Sequence, residues 1–310
     1  MMKSRRLLGY NLILLLFTLG VILWGAYVRA TGSGAGCGSH WPLCDGEVIP
    51  RSPSIATLIE FTHRISSGLA FLMAIGLVVW TYLAFPKGSL ARIGATLTLA
   101  FYIVEALIGA GLVAFNLVAE NPSVVRALSN ALHLANSYLL LAVLTLTGWW
   151  VSGRGKLRLV GMMSISPLFG MLGVLIIGMG GTVAALGDTL FPAQTLAEGL
   201  SRDFSATAHF LERLRWLHPA IALVVSIYLL IQARWIAAVS PLPRTKRMAS
   251  ILSILLLFQL AGGALNVALL APVWMQLVHL LLSDLVWIAL VLIAASILSK
   301  DIPDDRREFA

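Results

Sequence analysis

The chain has 310 residues, of which 59% are hydrophobic and only 12% charged, and its mean hydropathy is +0.90. Soluble domains are roughly half apolar, so a water-soluble globule is excluded and an integral membrane protein is expected. The net charge of +8 would point to nucleic acid in a soluble chain; here it is read against the helix ends, and no nucleic-acid partner is implied.

A bilayer core takes about 20 apolar residues per helix. Runs of that kind lie near 8–28, 64–85, 93–115, 126–151, 159–180, 214–238, 248–271 and 275–298. The predicted fold class is all-α integral membrane, with eight transmembrane helices. The opening MMKSRR ahead of an apolar stretch resembles a signal peptide, but the stretch is long and no small-residue cleavage site follows it cleanly. It is read as the first helix, with the mature protein starting at or near Met1. No Arg- and Ser-rich transit segment precedes it, which favours a prokaryotic plasma membrane.

Fifteen of the 22 Lys and Arg residues lie in five places: Lys3, Arg5 and Arg6; Lys87 and Arg92; Arg154, Lys156 and Arg158; Arg234 to Arg247; and Lys300 onward. All five fall on one side if the helices alternate, so the positive-inside rule puts both termini in the cytoplasm. The loops near 29–61, 116–125, 181–213 and 272–274 then face outward. Cys37 and Cys44 sit in the first of them, within GSGAGCGSHWPLCDG. On the oxidising side a close pair reads as a disulfide, two free thiols being the alternative.

The chain repeats itself. Gly25-Ala-Tyr-Val-Arg-Ala-Thr-Gly32 ends the first helix, and 155 positions on Gly180-Gly-Thr-Val-Ala-Ala-Leu-Gly187 ends the fifth; the same offset carries His63 onto His218. Glu105 falls close to Gln259, each just before a small-residue patch suited to close helix packing. At an offset of 146, His133 matches His279. Four helices per half is an even number, so the halves share an orientation and are related by an axis along the membrane normal. Two pseudo-twofold related four-helix bundles are predicted, residues 1–151 and 152–310, with a polar seam from Ser152 to Leu159. The two long outward loops are expected to cap the sites.

Four of the six histidines, His63, His133, His218 and His279, stand at the starts of even-numbered helices, hence at similar depth near the outer face. A lone helical histidine is more often a core hydrogen-bonder. A pair per bundle, however, can supply both axial bonds of a haem iron, with the macrocycle filling the apolar space between helices. Zinc finds no close-spaced histidine or carboxylate cluster. His40 and His209 read as solvated loop residues.

Arg64, Arg126, Arg213 and Arg215 break the cytoplasmic bias and gather at the outward ends of the same helices. Interfacial snorkelling accounts for them, and so does pairing with haem propionates. Glu60 stands three residues before His63, and the matching position before His218 is Arg215. A carboxylate beside an imidazole can act as a base or steady a developing cation, which makes the first half look reactive and the second a holder. The bland alternative is that Glu60 pairs with Arg64.

These segments, GAYVRATGSGAGCGSHWPLC, IEFTHRISSG, HLANSYLLL, LHP and LVHLLLSD in that order, resemble the haem A synthase family over essentially the whole chain. The resemblance implies an oxidoreductase that converts haem O to haem A by oxidising the porphyrin C8 methyl group to a formyl group. It also implies a haem b cofactor on His218 and His279, substrate haem O on His63 and His133, a catalytic role for Glu60 and a Cys37–Cys44 disulfide. Some relatives carry a second cysteine pair between helices five and six; this chain has none there. Oxidation of a methyl group to an aldehyde removes four electrons in two steps through a hydroxymethyl stage. The residues leave the acceptor open, and no nicotinamide or flavin fingerprint is present. The farnesylating haem O synthase upstream is a candidate partner. Two other readings compete: a non-catalytic b-type cytochrome passing electrons from quinol between paired haems, and a transporter built on the repeat, for which Pro167 in helix five is the one interruption of note.

Overall fold

A helix of 23 to 30 residues is about 35 to 45 Å long at 1.5 Å per residue, longer than the roughly 30 Å hydrocarbon core. The computed structural model, which describes residues 2–155, 157 and 162–299, has helices of that length. They are α1 (Met2–Ala30), α2 (Ile55–Ala84), α3 (Leu90–Ala114), α4 (Val124–Val151), α5 (Met162–Leu190), α8 (Leu217–Val239), α9 (Pro243–Ala268) and α10 (Val273–Leu298). Two short helices, α6 (Leu196–Asp203) and α7 (Phe210–Leu214), stand between α5 and α8. Among the described residues the chain is all helical, and eight spans are long and apolar enough to cross a membrane, the sixth combining α7 and α8 as Phe210–Val239.

The helices outrun the apolar windows because capping, not hydropathy, ends them. Ser54, Ser89 and Ser123 each accept a hydrogen bond from the backbone N–H three residues on, satisfying a donor that the first helical turn leaves open. Ser54 starts α2 nine residues before the predicted 64. The predicted loop 181–213 is corrected more strongly, since its first ten residues continue α5 and much of the rest forms α6 and α7. Gly181 and Gly187, placed at the predicted end of the fifth helix, lie inside α5, and each lies against a neighbour that leaves no room for a side chain. A Cβ on Gly187 would stand 2.9 Å from the Leu211 carbonyl oxygen.

Contacts run in a ring through α1, α2, α3 and α4, and in a second ring through α5, α8, α9 and α10. The rings meet where α1 and α4 touch α5 and α10. The inner helices α4 and α10 are the most buried, 61% and 56% of their apolar windows against 11 to 33% for the other six. Tyr138 of α4 stacks on Trp287 of α10 at 4.9 Å, donates or accepts at Ser283 Oγ over 2.6 Å, and receives the Trp287 indole N–H on its carbonyl. Leu16, Leu72, Leu107, Val224, Ile231 and Phe258 are exposed, as expected of helix faces bathed in lipid rather than water.

Arg29, at the end of α1, reaches across this meeting. Its guanidinium donates to the Ala185 carbonyl and Thr189 Oγ1 of α5 and to Gln276 Oε1 of α10, at 2.8, 3.0 and 2.9 Å.

At the opposite end, Arg154 and Arg244 flank the Trp149 ring at 4.3 and 4.6 Å, a cation–π pair. Within the predicted seam, Lys156, Arg158 and Leu159 lie outside the described residues, as do Lys300 and the tail beyond it.

Candidate functional site

The four helical histidines lie between six and nine residues from the starts of their spans: His63 from Ile55, His133 from Val124, His218 from Phe210 and His279 from Val273. At the helical rise this is about 9 to 14 Å of depth, so they share one level.

Each ring also faces a glycine on the preceding long helix. A Cβ on Gly25 would meet His63 Cε1 at 2.9 Å, on Gly181 His218 Cε1 at 2.8 Å, and on Gly263 His279 Cε1 at 3.0 Å; on Gly109 it would stay 4.0 Å from His133 Cε1. Three of the imidazoles therefore rest on bare backbone, and the repeat seen in sequence reappears as a repeated contact. Sequence reading takes Gly109 and Gly263 for packing residues and Gly25 and Gly181 only for repeat partners, and misses that they seat the histidines.

In the second ring, His218 and His279 face one another with ring centroids 6.3 Å apart. Two metal–imidazole bonds of about 2.0 Å, each followed by about 1 Å to the ring centre, require about 6 Å. His218 Nδ1 lies 3.2 Å from the Ile177 carbonyl oxygen, which draws the ring hydrogen to Nδ1 and leaves Nε2 for a ligand, the arrangement usual behind metal-bound histidine. His279 Nδ1 is buried and has no hydrogen-bond partner, and so is His63 Nδ1 in the first ring. These donor sets fit an axially ligated haem.

The histidine of α4 is held differently. His133 Nε2 lies 2.6 Å from Glu105 Oε2, and Ser137 Oγ donates to Glu105 Oε1. In the second ring Gln259 Nε2 lies 3.4 Å from His279 Nε2. Sequence comparison had paired Glu105 with Gln259 without giving either a role.

Glu60 is buried, but it turns from His63. Its carboxylate accepts from Arg64 Nε at 3.1 Å, from an Arg64 terminal nitrogen, and from the Cys37 backbone N–H at 2.9 Å. Thr57 Oγ1 donates to the Gly36 carbonyl, and Arg64 to those of His40 and Leu43, at 2.7, 2.6 and 2.6 Å. Thr57, Glu60 and Arg64 thus form one stripe of α2 that straps down the loop closed by the Cys37–Cys44 disulfide. The matching Arg215 also anchors a loop, binding Asp203 and Asp188 carboxylates and the Phe191 carbonyl. Opposite charges at matched positions therefore do a similar structural job.

Of the other arginines, Arg126 donates to the Ala119 and Asn121 carbonyls. Arg213 is exposed beside Asp203, Phe204, Phe210 and Trp216. His40 lies in the first loop, and His209 caps α7, its Nδ1 accepting from the Leu211 N–H.

Residues 9–291 match the family described as cytochrome oxidase assembly protein, COX15-CtaA. The chain belongs to this family. Among its relatives is a Thermus thermophilus protein named protoheme IX farnesyltransferase, 52% identical over 297 residues that cover 95% of this chain and 49% of that protein. A heme A synthase of Exiguobacterium sp. strain AT1b is 34% identical over 173 residues, 54% of this chain and 56% of the relative. Another, from Alkalihalophilus pseudofirmus, is 44% identical over 111 residues, 36% and 37% of the two chains. The chain spans about half the length of the first of these curated relatives.

Proposed function

We propose that this member of the assembly family is a haem A synthase, an oxidoreductase that takes the C8 methyl group of haem O to a formyl group. The observation that carries the reading is the pair His218 and His279, 6.3 Å apart across two helices, in a chain whose relatives include proteins named heme A synthase. Haem extracted from cells with and without the protein, and separated by chromatography, tests it: haem A should appear only with the protein, and haem O should accumulate without it.

In this reading residues 1–151 and 152–310 form two four-helix bundles related by an axis along the membrane normal, supported by their matching rings of contacts and histidine–glycine seats. His218 and His279 would hold haem b, with Ile177 fixing the His218 tautomer. Haem b, when bound, supplies an electron acceptor next to the substrate. His63 and His133 hold haem O by its iron, and water supplies the formyl oxygen while four electrons and four protons leave the methyl group and that water. Glu60 serves as base or counter-charge for the carbon being oxidised. Arg64, Arg126, Arg213 and Arg215 stand at the same helix ends as candidate propionate partners; three of them already hold protein oxygens, and Arg213 has the open side chain.

The Thermus relative carries about as much chain again beyond the matched part. Because the assembly-family match here covers residues 9–291, we assign its printed farnesyl-transfer activity to the unmatched part. This supports a haem O synthase as the neighbour that delivers substrate. The basic residues Arg92, Arg154 and Arg244 lie at the end away from the histidines, which supports cytoplasmic termini and outward-facing sites in a prokaryotic plasma membrane. A quinol-linked cytochrome would use two equal sites, whereas Glu105 against Gln259 sets them apart.

A further inference from the structure

Glu105 and Gln259 hold matching places in the repeat, and each reaches the imidazole of the next long helix, at 2.6 Å and 3.4 Å respectively. Their support differs too. Ser137 Oγ donates its one hydrogen to Glu105 Oε1, with the His133 carbonyl as the alternative acceptor, so the carboxyl is braced from its far side. Ser283, which matches Ser137 at the offset of 146, is instead engaged by Tyr138. Glu105 Oε2 and Gln259 Oε1 are both buried without an aligned hydrogen-bond donor, but only Glu105 Oε2 has a ring nitrogen at ion-pair distance.

A ring nitrogen cannot keep a hydrogen directed at a carboxyl oxygen and also give its lone pair to iron. His218 avoids that conflict, since its polar partner is at Nδ1. His133 meets it directly, because Glu105 sits at Nε2.

Resting on the assignment of the first half to substrate, we propose that Glu105, braced by Ser137, is a positioning residue that makes haem binding there reversible by competing with iron for His133 Nε2. When iron binds, the contact with Glu105 breaks, the iron–nitrogen bond forms and the ring hydrogen moves to Nδ1; release reverses each change. Gln259, distant and unbraced, competes weakly, and the second half keeps its haem. Substrate and product exchange while the cofactor stays.

The test counts haem per chain in the purified full-length protein and then titrates it with ferric haem b in detergent. Wild type should hold one haem tightly and bind a second weakly. Glu105→Gln, which gives the first half the second half's residue, should tighten the second event by about tenfold or more, the scale of a lost hydrogen bond to a charged group. Ser137→Ala should shift it the same way by less, and Gln259→Glu should loosen the tightly held haem. His133→Ala placed on Glu105→Gln should abolish the tightened event. Retention of the first haem reports folding in the Glu105, Ser137 and His133 variants. Wild-type titrations in both Glu105→Gln and Ser137→Ala overturn the proposal, as does a tightened event that survives loss of His133. The underlying assignment fails separately, if His218→Ala and His279→Ala keep the tight haem while His63→Ala and His133→Ala lose it.

Discussion

Glu60 and Arg64, one helical turn apart on α2, are buried together, with side chains only 5% and 12% exposed, beneath the disulfide-closed loop. A surface pair at that spacing is worth a few tenths of a kcal/mol, but removing one partner of a buried pair costs about 3 to 5 kcal/mol. Arg64→Ala should therefore lower stability on that scale and loosen the loop, measurable as faster proteolysis between residues 36 and 43.

Glu60→Gln separates chemistry from anchoring. The amide oxygen can still accept from the Cys37 N–H and from Arg64, so the loop should stay in place and the cofactor haem should be retained. If the carboxylate acts on the oxidised carbon, haem A per cofactor haem should drop at least tenfold. An unchanged ratio would leave Glu60 as a strap.

Bis-imidazole ligation leaves iron six-coordinate, so the purified protein should show the reduced-minus-oxidised bands of low-spin b-type haem. His218→Ala or His279→Ala should remove most of that signal, while His63→Ala or His133→Ala should spare it and reduce product. Equal loss from all four would favour the symmetric electron-transfer cytochrome.

The glycine seats give a graded test. Gly181→Ala drives a methyl to 2.8 Å from His218 Cε1, whereas Gly180→Ala, next to it on α5, meets nothing within 4 Å. The first should displace the ring and cost most of the bound cofactor; the second should be nearly silent. Indistinguishable haem content in the two variants would refute the seating role.

Cys37 and Cys44 are almost fully buried, at 0% and 1% exposure, and bonded to each other. Mass spectrometry of unreduced protein treated with an alkylating reagent should find neither modified. Two alkylated cysteines would contradict the bond.

Much of this was legible in the sequence. The number of spans follows from apolar run length, and the level of the four histidines follows from their places at the starts of even-numbered helices. Helix ends were less legible, because hydropathy reports where lipid begins while Ser54 and its counterparts decide where hydrogen bonding begins. The direction of Glu60 was not legible at all: spacing allows it to face either His63 or Arg64, and the choice is made by the Cys37 amide, which a distant loop brings in. Glu105 was visible as a repeat partner, but its contact with His133 depends on how α3 and α4 are rotated against each other.

Arg29 carries a consequence for biosynthesis. Its guanidinium sits at the end of the first span, yet one of its acceptors, Gln276, is translated 247 residues later. Until the eighth span enters the bilayer, one terminal nitrogen of this cation lacks its Gln276 acceptor. Insertion of the last span is what completes the latch on the first.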